Sequence, residues 1–507
     1  MYNAAFDLVD RNLKNNSTKL AFIDDDSNIS YLEIANRVQN FAYSLEKENL
    51  EKGDKIIICT TDSINYPIVF LGAIWAGIIP VCINTLLPKK DLKYMLEDSG
   101  AKAIICDKNL HRIFIEISNE IDHDLKIFID ADNDDGQSKN LASMIIFEDA
   151  KKIEPFKTNS SDECFWLYSS GSTGAPKGTI HAHGNLLETA NTYAKNILQI
   201  SSKDICFSAA KLFFAYGLGN SLTFSMSVGA TTVLTRNRVT PSLVIDIIKK
   251  NNISIFFGVP TLYAALLNIK LNKTDFSSLR LSVSAGEALP ANLYKRWKKI
   301  INTEILDGIG STEMLHIFIS NNQKKVFPGC SGYIVPGYEA KLLDENGKKI
   351  KVGDIGDLYV KGRSAAISYW KKPEISKKTF INGWVKTGDK YLIDHNNVYT
   401  YCGRSDDMMK VSGQYVSPFE VEAALLEHES VLEAAVVAWE DEDNLIKPKA
   451  YIILKENFIA SEDLENDLTN FIKKTLTPFK YPRWYEFVKE LPKTATGKIQ
   501  RFKLRQS

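Results

Sequence analysis

The most specific signal for the fold of this chain is the segment Tyr168-Ser-Ser-Gly-Ser-Thr-Gly-Ala-Pro-Lys-Gly178. It begins at the last residue of the run 165–168, which is apolar enough for a buried strand. The backbone N–H groups and hydroxyls of such a glycine-rich loop can surround phosphate oxygens, and Lys177 adds a positive charge. The Walker A spacing Gly-x4-Gly-Lys-Ser/Thr is absent. A plain surface turn is the ordinary alternative for a short Gly/Ser stretch, but the full eleven-residue string is far more specific than that.

On both sides of this loop, short strands rich in β-branched residues alternate with helical segments, as in layered α/β folds. Helical periodicity covers residues 31–46 and 241–250. The apolar strands are expected to be buried on both faces. The candidate strands cover residues 55–59, 79–83, 102–106, 126–129, 165–168, 231–234, 254–258 and 279–283.

The alternation of strands and helices ends at about residue 357. Two candidate strands there predict a small β-rich part, and a separate α+β unit begins near residues 403–407. We therefore predict an α/β fold with a large N-terminal domain of layered α/β subdomains, residues 1–403, and a small C-terminal domain, residues 404–507. The elements that support this division are strands at 357–360, 398–401, 434–439 and 450–454 and helices at 418–427 and 461–476.

The composition is that of a globular enzyme, with 44% hydrophobic and 24% charged residues. Lys+Arg and Asp+Glu both number 62, so a neutral chain gives no electrostatic reason to expect nucleic acid or an acidic membrane as partner. The seven cysteines are dispersed and form no Cys-x-x-Cys pair, which predicts reduced thiols in a cytoplasm. Residues 1–7 lack the basic start of a signal peptide, and none is expected.

One apolar run, residues 66–83, is long enough to span a bilayer. Pro67 and Pro80 bracket it, Gly72 and Gly77 interrupt it, and Pro80 would break a continuous helix. We therefore expect a buried helix followed by a buried strand, and no membrane span.

The glycine-rich loop of residues 168–178, the phosphate loop, is followed by four further motifs. They are Asp307-Gly-Ile-Gly-Ser-Thr-Glu313, Lys386-Thr-Gly-Asp389, Gly403-Arg-Ser-Asp-Asp407 and Leu491-Pro-Lys-Thr-Ala-Thr-Gly-Lys498. Together the five ordered motifs resemble those of the adenylate-forming superfamily, which includes acyl- and aryl-CoA ligases, luciferases and peptide-synthetase adenylation domains. They extend over essentially the whole chain, which makes coincidence very improbable.

The resemblance implies ATP, Mg²⁺ and coenzyme A as cosubstrates or cofactors, with Lys498, Glu313 and Lys177 as catalytic residues. Glu313 would hold Mg²⁺, with Thr173 nearby. Taken singly, such charged residues are more often solvated surface groups. Their positions within the matching motifs favour a functional role instead. The residues implied to bind ATP or AMP are Ser169, Ser170, Gly171, Ser172, Thr173, Gly174, Lys177, Asp307, Gly308, Thr312, Asp389 and Arg404.

The chemistry needs few groups, because a carboxylate is already ionised at pH 7 and attacks the α-phosphate without a general base. It needs charge neutralisation and in-line positioning. Lys498 would bridge the carboxylate and the α-phosphate, and Asp389 would bind the ribose hydroxyls with support from Arg404. Where many family members have an aromatic residue beside the adenine, this chain has Ile309, so an aliphatic wall is expected there.

In the second step a CoA thiolate attacks the acyl adenylate. A free thiol has a pKa of about 8.5, so only a modest lowering of this pKa is needed to form the thiolate near pH 7. The resemblance implies that the small domain is mobile: it rotates about Asp406, withdraws Lys498 and builds a CoA tunnel. Residues 410–418 would line the tunnel, with Lys410, Ser412 and Gly413 at the site and Gly413 permitting close backbone approach.

Two further strings, Phe213-Phe-Ala-Tyr-Gly-Leu-Gly-Asn220 and Glu313-Met-Leu-His-Ile-Phe318, closely resemble the benzoate–CoA ligase subgroup. They imply a compact apolar pocket for a benzoate-like ring, which disfavours long fatty acids. Core packing is the usual role of isolated aromatics and of a lone histidine. The implied pocket residues are Phe214, Ala215, Tyr216, Gly217, Gly310, Leu315, His316 and Ile317.

These observations predict a cytoplasmic, ATP-dependent aryl-CoA ligase that acts on a small aromatic acid, in aromatic degradation. The alternatives are an aryl adenylating enzyme that loads a carrier protein, a CoA ligase for another small acid, a binder that has lost activity, and, more distantly, a luciferase-type oxygenase. Intact Lys177, Glu313, Asp389 and Lys498 argue against the inactive binder. A homodimer is expected from the resemblance alone.

Overall fold

The structure is a computed structural model that describes residues 1–131, 139–146, 153–169, 175–411, 414–442, 445–493 and 499–505. Ser170, Gly171, Ser172, Thr173, Gly174, Ser412, Gly413 and Lys498, all expected at the site, lie outside the described residues.

The strands explain the layered pattern seen in the sequence. In chain order they are β1 (Leu20–Ile23), β2 (Asn28–Ser30), β3 (Lys55–Cys59), β4 (Ile79–Cys82), β5 (Ala103–Asp107), β6 (Lys126–Asp130), β7 (Lys139–Asn140), β8 (Glu163–Ser169), β9 (Lys177–Ala182), β10 (Ile205–Ser208), β11 (Thr231–Val233), β12 (Ile255–Gly258), β13 (Leu281–Ser284), β14 (Ile305–Gly310), β15 (Ile317–Ser320), β16 (Tyr333–Ile334), β17 (Glu339–Leu343), β18 (Ile355–Lys361), β19 (Ser368–Tyr369), β20 (Phe380–Ile381), β21 (Trp384–Ile393), β22 (Tyr399–Arg404), β23 (Met409–Val411), β24 (Gln414–Val416), β25 (Val431–Glu440), β26 (Ile446–Leu454) and β27 (Trp484–Phe487).

The helices lie between these strands. The α-helices are α1 (Ala4–Asn16), α2 (Tyr31–Lys47), α3 (Asn65–Trp75), α4 (Lys89–Ser99), α5 (Lys108–Ser118), α6 (Ala142–Ile145), α7 (His183–Thr189), α8 (Ala215–Leu218), α9 (Phe224–Val228), α10 (Pro241–Asn251), α11 (Pro260–Leu267), α12 (Ala291–Ile301), α13 (Pro373–Thr379), α14 (Pro418–Leu425), α15 (Glu462–Thr475) and α16 (Arg501–Leu504). In the described parts of the chain two segments are π-helical, Ala190–Leu198 and Gly219–Thr223, and three are 3₁₀-helical, Lys273–Phe276, Thr312–Met314 and Pro478–Lys480.

Two large sheets form the body of the first 400 residues. One has the order β19-β9-β8-β4-β3-β5-β6-β7, and the other has the order β16-β15-β14-β13-β12-β10-β11-β1-β2. The central pairs of both sheets are parallel, whereas the β8–β9 and β14–β15 pairs are antiparallel. The two antiparallel hairpins carry the first two sequence motifs, so the motifs lie where each parallel stack ends.

Three smaller sheets complete the fold. Strands β17, β18, β21, β20 and β22 form the small β-rich part, and β25, β26 and β27 form a sheet in the C-terminal region beside the β23–β24 hairpin. Helices α14 and α15 pack on this last sheet with a core of their own that includes Val421, Leu468 and Ile472. The predicted α/β class, with a large N-terminal part and a small α+β C-terminal part, is confirmed.

Local sequence signals set several helix boundaries. Ser30 begins α2 with a capping box, in which its hydroxyl accepts from the Glu33 N–H and the Glu33 carboxylate accepts from the Ser30 N–H. Thr240 caps α10 ahead of Pro241, and Gly100 ends α4 with φ of 63°. These signals explain why predicted and observed ends of α2 and α10 differ by only one residue.

The apolar run at residues 66–83 folds as expected, since α3 is buried on all sides and β4 is a central strand. Among the described residues, no helix has the length and apolarity that a membrane crossing requires. All seven cysteines are free thiols, and six of them are buried. The prediction of a buried helix followed by a buried strand is confirmed.

Candidate active site

The phosphate loop connects two antiparallel strands. Ser169 is the register partner of Lys177, so the last residue of β8 and the first residue of β9 lie side by side. The Thr179 hydroxyl donates to Ser169 Oγ at 3.4 Å, and Tyr94 fixes the end of the loop by donating to the Pro176 carbonyl at 3.2 Å. Both strands therefore hold the two ends of the loop close together.

The second motif is a sharp turn between β14 and β15. Ser311 caps the 3₁₀ turn Thr312–Met314, and Leu315 follows with φ of 64°, a left-handed conformation that is unfavourable for a leucine. Gly310 pairs with Ile317 across the turn, and a Cβ at Gly310 would lie 2.5 Å from the His316 carbonyl oxygen. Such local strain is typical of sites where function fixes the backbone.

Two residues that the sequence interpretation missed complete this turn. His181 Nε2 lies 2.9 Å from the Thr312 carbonyl oxygen, and the Tyr369 hydroxyl donates to Glu313 Oε1 at 2.7 Å. Burial lowers the pKa of His181 to about 4, so this imidazole is neutral at pH 7. His181 has a weak signal in the sequence, since residues 177, 179 and 181 share one face of β9.

Asp307 is the first residue of the second motif and lies buried within β14. Its Oδ2 accepts weakly from the Leu289 N–H at 3.4 Å, whereas Oδ1 is a buried atom with no hydrogen-bond partner in the structure. Burial raises the pKa of Asp307 well above its ordinary value. Unpartnered buried oxygens need an explanation, and a ligand that binds beside Asp307 and Gly308 would supply a partner.

Asp389 and Arg404 form a pair in the small β-rich part. They are register partners on β21 and β22, and Arg404 Nη1 donates to Asp389 Oδ1 at 3.0 Å. Gly388 has φ of 76°, and a Cβ there would lie 2.7 Å from Arg404 Nη2, so a side chain at this position would displace the guanidinium. Burial leaves just 8% of the Asp389 side chain exposed, compared with 43% for Arg404.

The two strings of the predicted pocket meet at His316. Its Nε2 lies 3.1 Å from Asn220 Oδ1, and its ring centroid lies 5.5 Å from that of Tyr216, 5.2 Å from that of Tyr193 and 4.5 Å from that of Phe224. Burial lowers the pKa of His316 to about 3, so the ring is neutral at pH 7. Nδ1 of His316 has no hydrogen-bond partner among the residues that the structure describes.

The other pocket residues divide between the two cores that flank this cluster. Leu315 belongs to the core that Phe214 and Ala215 pack against, and Ile317 belongs to the core that Tyr216 packs against. Gly217 packs closely against the backbone of Lys211, because a Cβ at Gly217 would lie 2.0 Å from the Lys211 carbonyl oxygen.

Of the residues expected at the hinge and the CoA path, Asp406 and Lys410 are described, and both are exposed near β22 and β23. Arg404 Nε is 3.9 Å from Asp406 Oδ1, and the Asp406 carbonyl accepts from Arg505 Nη1 at 3.3 Å. Lys410 Nζ is 3.8 Å from Glu345 Oε1. The structure thus connects Asp406 to Arg404 and to Arg505, the residue that follows α16.

The comparisons with known proteins agree with this architecture. The model of the AMP-binding enzyme family matches residues 9–370, and that of the AMP-binding enzyme C-terminal domain matches residues 420–498. The chain is 49% identical to the benzoate–CoA ligase of Thauera aromatica over all of this chain and 96% of that protein.

Two solved structures are similar over the full length. A benzoate CoA ligase from Burkholderia xenovorans LB400 is 44% identical, with a TM-score of 0.93 and complete coverage of both chains. The anthranilate CoA ligase AuaEII in complex with anthranoyl-AMP is 40% identical, with a TM-score of 0.94 and coverage of 100% of this chain and 97% of that chain. The resemblance read from the five motifs is confirmed, and the chain belongs to the family of AMP-binding enzymes.

Proposed function

We propose that this protein is an ATP-dependent aryl-CoA ligase. A benzoate-like carboxylate and ATP give an acyl adenylate and pyrophosphate, and CoA then takes the acyl group to give an aryl-CoA and AMP. The observation that supports an aromatic substrate is the ring cluster of half-buried Tyr216 and buried His316, whose centroids lie 5.5 Å apart. His316 lies three residues after Glu313 in the sequence. The 49% identity to a benzoate–CoA ligase over the whole chain supports the same substrate class.

In the first step the residues would neutralise negative charge and position the two reactants, and no proton transfer is needed. Lys177, with Ser169 and the rest of the loop, would bind the β- and γ-phosphates, and Lys498 would bridge the carboxylate and the α-phosphate. Asp389 would accept hydrogen bonds from the ribose hydroxyls, with Arg404 holding its carboxylate in place. These contacts lower the repulsion between nucleophile and triphosphate and align the attack.

Mg²⁺ fits the residues present. Glu313 is half-buried, and Tyr369 contacts Oε1, which leaves Oε2 for a cation. Among the described residues no group of three acidic, histidine or cysteine side chains could hold a metal, but Mg²⁺ that binds through phosphates needs only one or two carboxylates. We propose that Glu313, with Thr173 nearby, holds Mg²⁺, which would neutralise phosphate charge.

In the second step the small domain, residues 404–507, would rotate about Asp406 and withdraw Lys498. The segment with Lys410, Ser412 and Gly413 would then line the path by which the CoA thiol reaches the acyl carbon. One chain could in this way use two arrangements for two steps whose requirements conflict. The cytoplasmic location and the homodimer stay predictions, the second of which light scattering in solution tests.

The decisive experiment measures AMP and thioester formation from ATP, Mg²⁺ and CoA with a panel of acids. The panel holds benzoate, the three hydroxybenzoates, 2-aminobenzoate, 2-furoate, cyclohexanecarboxylate, acetate and octanoate. We expect benzoate-like rings to give the highest kcat/KM. Activity with aliphatic acids alone would refute the aromatic pocket, and an aryl adenylate without a CoA thioester would favour a carrier-loading enzyme.

Asp389→Ala is expected to raise the KM for ATP by about tenfold, because it removes a charged acceptor for the ribose hydroxyls. The benzoate KM should change little, since Asp389 lies outside the ring cluster. Steady-state kinetics with either substrate varied measures both constants. An unchanged ATP KM would contradict the ribose contact.

Gly219→Ala is expected to reduce kcat/KM for benzoate by about tenfold through overpacking of the pocket. The new Cβ would lie 2.4 Å from His316 Cδ2, so the imidazole must move. The KM for ATP should stay within about twofold of the wild-type value. Equal losses for ATP and benzoate would show that the substitution damages the fold rather than the pocket.

A further inference from the structure

Tyr369 connects two motifs that lie far apart in the sequence. Its hydroxyl donates to Glu313 Oε1 at 2.7 Å, and its ring lies under the Lys177 ammonium, with Nζ 4.4 Å from the ring centroid. The side chain is only 5% exposed. One buried tyrosine therefore contacts both the residue proposed to bind Mg²⁺ and the lysine proposed to bind phosphate.

The strand that carries Tyr369 fixes its position. Strand β19 pairs with β9, where Tyr369 is the register partner of Thr179, two residues beyond Lys177. The ring of Phe380 supports the tyrosine ring from the side, with centroids 5.3 Å apart. Since β9 also carries Lys177, the distance between the tyrosine and the lysine is set by the sheet.

The backbone of the Glu313 turn has other supports. His181 holds the Thr312 carbonyl, the Ala366 N–H donates to the Glu313 carbonyl at 2.7 Å, and the Ser364 hydroxyl donates to the Met314 carbonyl at 2.8 Å. Removal of the Tyr369 hydroxyl would leave these contacts intact. The hydroxyl therefore acts on the carboxylate of Glu313 and not on the shape of the turn.

The chemistry of the two contacts suits a metal and phosphate site. A neutral hydroxyl orients a carboxylate by a charge-assisted hydrogen bond without cancelling its negative charge, whereas lysine or arginine would form an ion pair. An aromatic face likewise attracts an ammonium without neutralising it. Glu313 thus keeps its charge for a cation, and Lys177 keeps its charge for a phosphate.

We propose that Tyr369 is a positioning residue for adenylate formation: its hydroxyl orients the Glu313 carboxylate for the divalent cation, and its ring orients Lys177 for the ATP phosphates. This proposal rests on the proposed function. The proposal assigns one task to the hydroxyl and another to the ring, and two substitutions distinguish their effects.

Tyr369→Phe keeps the ring and removes the hydroxyl. We expect an affinity about tenfold lower for the Mn²⁺ complex of a non-hydrolysable ATP analogue, measured by electron paramagnetic resonance, because one charge-assisted hydrogen bond is lost. Affinity for the metal-free analogue should change less than about twofold. The rate of benzoate-dependent ATP–pyrophosphate exchange should fall about tenfold, while thioester formation from supplied benzoyl-AMP and CoA is retained.

Tyr369→Leu removes the ring as well. We expect it to weaken binding of the metal-free analogue about threefold or more, because Lys177 loses the aromatic face. Tyr294→Phe is the matched control, since it removes another tyrosine–glutamate hydrogen bond, to Glu304, at the opposite end of β14. The control should match the wild type in every assay.

A cycle with Glu313→Gln separates this proposal from the proposed function. If Tyr369 acts through Glu313, Tyr369→Phe has no further effect on Mn²⁺-complex affinity in the Glu313→Gln background. Unchanged metal-dependent binding in Tyr369→Phe, with a lowered affinity in Glu313→Gln, would overturn the role of Tyr369 alone. An unaffected Glu313→Gln variant would instead overturn the metal site of the proposed function.

Discussion

Lys498→Ala is expected to reduce benzoyl-AMP formation by about 10²–10³-fold and to leave the second step nearly intact. The lysine would neutralise charge that develops between the carboxylate and the α-phosphate, and the loss of one such preorganised group typically has an effect of this size. ATP–pyrophosphate exchange measures the first step. Thioester formation from supplied benzoyl-AMP and CoA measures the second, in which Lys498 would be withdrawn from the site.

Lys503→Ala provides the control for this experiment, because Lys503 is an exposed lysine of α16, five residues beyond Lys498. It removes the same charge from the same part of the chain, and both half-reactions should be unchanged. Equal loss of both half-reactions in Lys498→Ala would contradict a role restricted to adenylate formation.

Much of the fold could be predicted because its strands are short, apolar and flanked by clear breaks. Residues 55–59 form β3 as predicted, and residues 418–427 contain α14, which ends at Leu425. The predicted and observed ends of elements differ where strands extend into the neighbouring turns. The predicted strand at residues 357–360, for example, is part of the longer strand Ile355–Lys361, whose ends are fixed by pairing with β17 and β21.

The site was predictable only where its residues occur in ordered motifs. Asp389 and Arg404 were expected at the same ribose, and the structure joins them in one ion pair. Tyr369 was missed because it contacts Glu313 from 56 residues away, through a two-residue strand with no periodic pattern. Tyr193, which packs on His316, lies in a π-helical segment whose register ordinary helical periodicity does not describe.

Ala215→Phe is expected to reduce kcat/KM for benzoate by about a hundredfold. Ala215 is half-buried at the start of α8, between Phe214 and Tyr216, so a benzyl group there would occupy the volume proposed for the substrate ring. Overpacking of a site that cannot expand costs up to about 3 kcal/mol, which corresponds to a factor of this size. The acid panel, measured at saturating ATP and CoA, gives the result directly.

The affinity for ATP decides how a loss of activity in Ala215→Phe is to be interpreted. The residues proposed to contact phosphate and ribose lie on β8, β9, β21 and β22, whereas Ala215 lies on α8, so nucleotide affinity should stay within about twofold of the wild-type value. Ala142→Phe adds the same side chain at an exposed position and should have no effect on either substrate. Retained benzoate turnover in Ala215→Phe would place the ring elsewhere, because a phenyl group and a benzoate ring cannot share one compact pocket.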